Sequence, residues 1–415
     1  MSVPHSKRHF QLVLIKPSQY DDDRHVVQRT RSSIPASSLA CLYALALDAA
    51  ERDVLGPNEA IDITAVDETN TRFRANEIIA QFASHDGYGM VGLVGVQPAQ
   101  FSRALDIARP LRAAGLPVVI GGKHVSDRLA MLPDMHADLR QALDMRCSLF
   151  AGDAENGRLD AVIRDAANGA LQSIYHHLDG LPALESIPSP FLPPEVLKRM
   201  IDHYASFDAG RGCPFQCSFC TITSVKGRRS RRHPADDVEQ SIRAHRQEGI
   251  PWFFITDDNF ARNKGWEAIF DRIILLRERD KIELKIAIQI DTLCHNIPNF
   301  VAKAVRAGVQ KVFIGLENIG PVSLRVAKMR PDRTAEYRSM MLAWKKAGVA
   351  PYPGHILRSV SDTPESTRKN RREPWTDTAE FFCYAAASSR IRRATPMSCG
   401  GHPPEQFSPN LSAKS

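Results

Sequence analysis

Between Gly210 and Cys220 the chain reads Gly-Arg-Gly-Cys-Pro-Phe-Gln-Cys-Ser-Phe-Cys, which sets Cys213, Cys217 and Cys220 in a Cys-x3-Cys-x2-Cys spacing. Pro214 and Gln216, lying between the thiols, keep this stretch from being a core segment, so it folds as a loop around a shared ligand. A structural zinc site is the plainest alternative. Zinc takes four ligands, and zinc ribbons supply two Cys-x2-Cys pairs. The sequence has no second pair, and the first histidine after the loop, His233, lies beyond an Arg-rich stretch. Three thiolates instead suit three irons of a 4Fe–4S cube and leave the fourth iron open, whereas electron-carrying clusters usually take four cysteines. An open iron can bind and activate a substrate, so the spacing points to radical chemistry.

The other five cysteines, Cys41, Cys147, Cys294, Cys383 and Cys399, are scattered through the chain. The first ten residues contain no apolar signal segment, and no apolar run reaches membrane-spanning length. These features predict a cytoplasmic protein with reduced thiols and no membrane span. At 415 residues and 43% hydrophobic, the chain is long enough for two or three domains with real cores. A formal net charge of +7 is mild for that length. The basic run Lys226-Gly-Arg-Arg-Ser-Arg-Arg232 reads as a solvated loop in preference to a phosphate or nucleic-acid site, so no nucleic-acid partner is expected.

Two strand-and-helix series follow each other. In the first, apolar runs at Phe10–Ile15, Ala60–Val66, Gly89–Val96, Leu116–Ile120 and Ser148–Phe150 read as strands. Helical stretches lie between them, among them Ser37–Ala50, with a serine available as cap, and Phe101–Ala114. Strands alternating with helices imply a parallel doubly wound, Rossmann-like sheet, and Gly121-Gly122 stands at a strand's carboxyl end, where such sheets bind ligands. Prolines crowd residues 166–200, a predicted linker after a first domain over 1–165. The second series, predicted over 201–388, has strands at Trp252–Thr256, Leu284–Ile290 and Lys311–Gly315. Each delivers polar residues at its carboxyl end: Asp257-Asp258-Asn259, Asp291, and Glu317-Asn318. That is the layout of a (β/α) barrel active site. The tail, 389–415, lacks hydrophobic period and is expected to be disordered.

With these motifs in order, the chain resembles the radical S-adenosylmethionine (SAM) superfamily over residues 204–366. The resemblance implies a partial (β/α)6 radical SAM barrel, with Cys213, Cys217 and Cys220 binding a 4Fe–4S cluster and SAM chelating the fourth iron. One electron from the cluster would then cleave SAM to a 5′-deoxyadenosyl radical. It further implies SAM contacts at Phe219, Asp257, Asp258, Glu317 and Ile356, with Gly210 and Gly212 letting the loop wrap the cluster. Gln289 and Asp291 would face the same cavity. Residues 10–165 resemble the cobalamin-binding domain that precedes many such barrels, with Gly121-Gly122 approaching the cobalamin tail. Asp23-Arg-His25-Val-Val-Gln28 comes close to the family's cobalt-ligand motif but ends in glutamine, and His25 reads rather as an exposed loop residue.

The implied activity is methylation or rearrangement of a small molecule at an unactivated carbon, with a flavodoxin- or ferredoxin-type electron donor. Two departures keep other readings open. Where the family has Gly-Phe-Pro after strand five, this chain has Arg358-Ser359-Val360, although Asp362-Thr-Pro-Glu-Ser366 is intact. Strand six, expected at Glu380–Tyr384, is followed by Ala385-Ala-Ala-Ser-Ser rather than the family's Thr-Pro-Leu-Pro-Gly turn, as a shifted reading frame or a decaying gene would produce. The alternatives are a degenerate iron–sulfur protein that binds a cluster without turnover, or a cobalamin-independent radical SAM enzyme.

Overall fold

The computed structural model describes residues 7–32, 35–132, 134–185, 187–201, 204–318, 320–329, 336–357, 363 and 382–385. The chain forms two compact units, each organised around a six-stranded sheet.

In the first sheet, β1 (Arg8–Lys16), β2 (Glu59–Asp67), β3 (Gly89–Leu93), β4 (Val118–Gly121), β5 (Ser148–Gly152) and β6 (Ile174–His177) are all parallel. Their order is β2-β1-β3-β4-β5-β6, so the winding reverses between β1 and β3. All of β3 and the Phe10–Ile15 stretch of β1 are buried, as expected of strands covered on both faces. Val13, Ile15, Val91, Leu93, Val118, Ile120 and Leu149 form one core with Ala104, Leu105, Ala108 and Leu111 of the helix Phe101–Ala113. The edge strand β2 is half-buried along nearly all its length.

Two details differ from the sequence reading. The helix Ser37–Glu51 already includes Ser37; Ala36 holds the cap position, and no side chain caps that end. The second concerns the proline-rich stretch read as a linker, which contains β6. This short edge strand has no apolar run to announce it.

The second sheet follows chain order. After β7 (Tyr204–Phe207), the two-residue strands β8 (Gly210–Arg211) and β9 (Arg231–Arg232) pair as a separate antiparallel ribbon. Then β10 (Trp252–Ile255), β11 (Lys285–Asp291), β12 (Val309–Glu317), β13 (Ala350–Leu357) and β14 (Phe382–Ala385) lie side by side, all parallel. Helices Ala235–Gln247, Trp266–Glu278, Phe300–Ala307 and Tyr337–Lys346 separate them, as in an open (β/α) barrel.

An aromatic cluster fixes the polar strand ends. Phe260, fully buried directly after Asn259, lies 4.9 Å from Phe270 between ring centres. Phe270 and Phe300 are 5.6 Å apart, and Trp266 meets Phe300 edge-on at 4.9 Å. Such contacts make Phe260 the hydrophobic anchor of the segment that follows β10.

Strand six of the sequence reading corresponds to β14. Arg358, Ser359, Val360 and Asp362 lie outside the described residues, as do Pro364-Glu-Ser366 and everything after Ala385. Among the described residues, no helix is long and apolar enough to cross a membrane.

Candidate functional site

The cysteine loop is closed at its base by the β8–β9 ribbon, by a bond from His233 N to Ala209 O (2.9 Å) and by one from Cys213 N to Gly227 O (3.3 Å). Glycine is required at this neck. Gly212 has φ +94°, and a Cβ there would stand 2.5 Å from Arg229 O. At Gly210 a Cβ would meet Asn263 Nδ2 at 2.6 Å and Arg231 O at 2.7 Å. Both positions let two backbones and a side-chain layer approach more closely than any Cβ allows.

The residues after β10 hold this neck from behind. Asp257 is 2% exposed, and its Oδ1 accepts the backbone N–H groups of Ala209 (2.7 Å) and Gly210 (2.9 Å). Its Oδ2 accepts from Asn263 Nδ2 at 2.8 Å, and Asn263 Nδ2 also reaches Ala209 O at 3.2 Å. Asp258 Oδ2 accepts Gly212 N–H at 2.7 Å. Two adjacent carboxylates thus grip successive backbone groups of one loop, by charge-assisted bonds of about 1.5–3 kcal/mol each.

Asp291, at the end of β11, pairs with Arg262 through both oxygens (2.6 and 2.9 Å) and caps Leu293 N (2.6 Å). The Arg262 guanidinium carbon lies 5.4 Å from the centre of the Phe215 ring, within the cysteine loop. Gln289, on the same strand, is half-buried. On the far side of the loop, Ser218 bonds through N to Ala327 O (3.0 Å) and through Oγ to Val326 O (3.2 Å).

Cys213, Cys217 and Cys220 are all half-buried and free of disulfides. Burial pushes the Cys217 thiol up to about 12, and the neighbouring Cys220, Glu317 and Cys213 add to the shift. Burial also raises Cys213, against which the Phe215 backbone N–H and the Asn259 side chain favour the thiolate. Cys220 disfavours ionisation of both Cys213 and Cys217, an effect that a polycationic centre would reverse. Among the described residues, no group of three or more His, Cys, Asp or Glu side chains is arranged to hold a single ion. Zinc requires its sulfur ligands within about 2.3 Å of one centre. A cube of irons takes each thiolate on a separate metal, so these residues fit a cluster.

Beside the thiols, Phe219 presents an exposed ring, 45% accessible. Glu317, at the end of β12, has φ +63°, a left-handed conformation uncommon outside glycine. Burial pushes its carboxyl up to about 7. Gly315 makes room for that carboxyl, because a Cβ there would stand 2.7 Å from Glu317 Oε1. Ile356 lies in β13; its side chain is outside the described residues.

In the first unit, Gly121 ends β4 and Gly122 follows with φ +138°. A Cβ on Gly122 would be 2.2 Å from Val96 N, so this glycine lets the loop close on the segment after β3. Val96 N donates to Gly121 O (3.1 Å), and His124 N to Val96 O (2.9 Å). His25 sits on the loop after β1 with its side chain 81% exposed.

Sequence reasoning gave no role to Arg262 or Asn263, and named Asn259 without one. The available signal was spacing: Asp257, Asp258, Asn259, Arg262 and Asn263 are the polar positions around the buried Phe260-Ala261. Cys294 and Cys147 are buried apart from the triad, with thiols pushed up to about 12 and about 11 by burial.

Fold and site together define an α/β protein that joins a doubly wound sheet to an open barrel with a three-thiol loop at its first turn. Residues 208–360 match the model of the radical SAM superfamily. It is similar to bacteriochlorophyllide d C-8(2)-methyltransferase of Chlorobaculum tepidum, 28% identical over 296 residues that cover 68% of this chain and 62% of the relative. It is also similar to hopanoid C-2 methylase of Rhodopseudomonas palustris, 24% identical over 303 residues that cover 72% of this chain and 55% of the relative. The chain therefore spans less than two thirds of the length of either relative. Among solved structures, the fold matches the radical S-adenosylmethionine methyltransferase TsrM from Kitasatospora setae, solved with cobalamin and a 4Fe–4S cluster bound. The TM-score is 0.63 at 14% identity, covering 88% of this chain and 69% of that one.

Proposed function

We propose that the chain is a radical SAM enzyme that methylates or rearranges a small molecule at an unactivated carbon, with cobalamin as methyl carrier. The observation that carries this reading is the loop of three half-buried, disulfide-free thiols, gripped through its backbone by Asp257 and Asp258. When bound, the cluster supplies one electron to cleave SAM into methionine and a 5′-deoxyadenosyl radical, and cobalamin supplies the methyl group.

The protein's own residues bind and orient. Cys213, Cys217 and Cys220 hold three irons. Asp257, buried with both oxygens engaged, serves SAM by fixing the Ala209–Gly210 backbone. Phe219, Asp258, Glu317 and Ile356 are the proposed SAM contacts, with Phe219 offering its ring to the adenine. Gly121 and Gly122 form the proposed approach to the cobalamin tail. The domain limits follow the same reading: 1–165 for cobalamin, 166–200 as connector, 201–388 for the radical SAM barrel and 389–415 as tail. A flavodoxin- or ferredoxin-type protein would deliver the electron. Methyltransferase relatives and the cobalamin-bound neighbour of the same fold support this assignment.

The test is anaerobic reconstitution with iron and sulfide, then reduction with SAM present and measurement of 5′-deoxyadenosine. Product that disappears in Cys217→Ala is the expected result. A four-iron cluster without product would make the chain a cluster-binding protein without turnover. Failure to bind four irons would remove the reading altogether.

A further inference from the structure

The basic run at 227–232 and the helix Pro321–Val326 have no part in the chemistry described above, yet both touch the cysteine loop. The run reaches the neck, where Gly227 O accepts Cys213 N–H at 3.3 Å. The helix end reaches the far side, where Val326 O accepts the Oγ–H of Ser218 and Ala327 O its N–H. Ser218 directly follows Cys217, so the surface of this helix end adjoins the stretch that joins Cys217 to Cys220.

Two features set that surface apart. Among the large apolar side chains exposed on the second unit, Val322 and Val326 are the most exposed, at 56% and 52%. They stand four residues apart and so share one face of the helix. The second feature is charge of one sign. Arg325 and Lys328 are exposed beside the valines, and Arg228 and Arg229 are exposed across the loop. None of these four is in an ion pair among the described residues. Residues 209–232 and 319–331 contain no Asp or Glu to balance them. Asp257 and Asp258 approach from behind and turn carboxylate oxygens to the loop's backbone.

Like charges gathered in this way repel one another, but they speed encounter with a partner of opposite charge. A small apolar centre with a charged rim matches the anatomy of a transient protein interface. A phosphate backbone would use the cations and leave the two valines uncovered.

We propose that Val322 and Val326, with Arg325 and Lys328 beside them and Arg228 and Arg229 across the loop, form the docking surface for a small acidic electron-transfer protein. The partner gives up one electron, the cluster takes it, and no bond or proton moves in that step. The inference rests on the radical SAM reading above, which requires a one-electron donor.

The experiment uses the full chain reconstituted with iron and sulfide, and a bacterial flavodoxin as probe, with binding read by calorimetry. The Kd should rise at least about tenfold between about 50 and about 200 mM salt. Combining Arg325→Glu with Lys328→Glu should raise it at least about tenfold, and Val326→Ser at least about threefold, at unchanged iron content. Arg325→Lys should keep the wild-type value. Dithionite, a small reductant that needs no docking, should give wild-type amounts of 5′-deoxyadenosine in all these variants, while flavodoxin-driven product falls in step with affinity. Wild-type flavodoxin affinity in the double variant and in Val326→Ser would overturn the inference, as would no binding to the unaltered chain. So would a loss of affinity confined to a single-stranded oligonucleotide, which would assign the face to nucleic acid. A chain that makes no 5′-deoxyadenosine with dithionite would instead refute the function proposed above, and calorimetry on the same sample keeps the two failures apart.

Discussion

At the carboxyl ends of β1 and β2, acidic side chains meet basic ones. Glu68 is fully buried and takes both Arg103 and the backbone N–H of Ser18 (2.9 Å), while Asp67 pairs with Lys16 (3.4 Å). At the ends of β10 and β11, the acids grip a loop. Asp257 takes the backbone N–H groups of Ala209 and Gly210, Asp258 takes that of Gly212, and Asp291 binds Arg262 and Asn259. Both arrangements bring hydrogen-bond or ion-pair partners to acidic side chains at strand ends. Only the second turns that pairing into the placement of one loop. The same chemical device thus steadies a scaffold in one region and shapes a site in the other, and what separates them is the partner each carboxylate is given.

The comparison can be pressed hardest at Phe260. Phe260→Ala should cost about 3–5 kcal/mol in chemical denaturation, because it empties the aromatic cluster that anchors the polar segment. Iron uptake should fall with it. Little loss of stability would mean that the segment is held by its hydrogen bonds alone. Gly122→Ala is the counterpart in the first unit. With φ +138° and a Cβ 2.2 Å from Val96 N, it should cost about 2–3 kcal/mol while iron loading by Cys213, Cys217 and Cys220 stays at the wild-type level. A drop in iron content would show that the two regions do not answer separately.

Asp257→Asn keeps shape but weakens the bonds to Ala209 and Gly210. The expected loss is about 1–2 kcal/mol, together with slower cluster assembly read from visible absorbance during reconstitution.

The smallest effect is a pH dependence of the first unit. Burial pushes the His124 imidazole down, outweighing its Asp138 partner at 2.7 Å. The unfolded chain therefore takes up a proton near pH 6.5 that the folded chain refuses. Stability present above that pH should be lost as pH falls toward the lower folded value, by no more than about 1.4 kcal/mol per pH unit. His124→Gln should flatten that slope in denaturation curves between pH 7 and 5. An unchanged slope would assign the dependence to other groups.

How much of this the sequence announced depends on the range of the forces involved. The buried strands of both sheets were legible because continuous apolar runs such as Phe10–Ile15 and Gly89–Leu93 are local signals. So was the cysteine loop, whose three thiols stand close together in the chain. The edge strand Ile174–His177 was hidden because a half-covered edge needs no apolar run. The cap of Ser37–Glu51 was misread because a serine near a helix start need not be its cap. Asp257 shows the harder limit. Its position after a strand marked it for function, but its grip on Ala209 and Gly210 spans 48 and 47 residues, a pairing that only the folded chain creates. Arg262 and Asn263 were invisible for the same reason.

Gly210 and Gly212, with the carboxylates behind them, have one more consequence. Asp257 and Asp258 hold the loop by its main chain, and Ser218 accepts its place from two carbonyls of the helix end at Val326 and Ala327. None of these grips reads the side chains of Pro214 or Gln216, both of which face solvent. The loop is therefore clamped in a way that is blind to part of its own sequence. Those two positions form a designable window: residues there can be exchanged to suit a different neighbour while the three sulfurs keep their places.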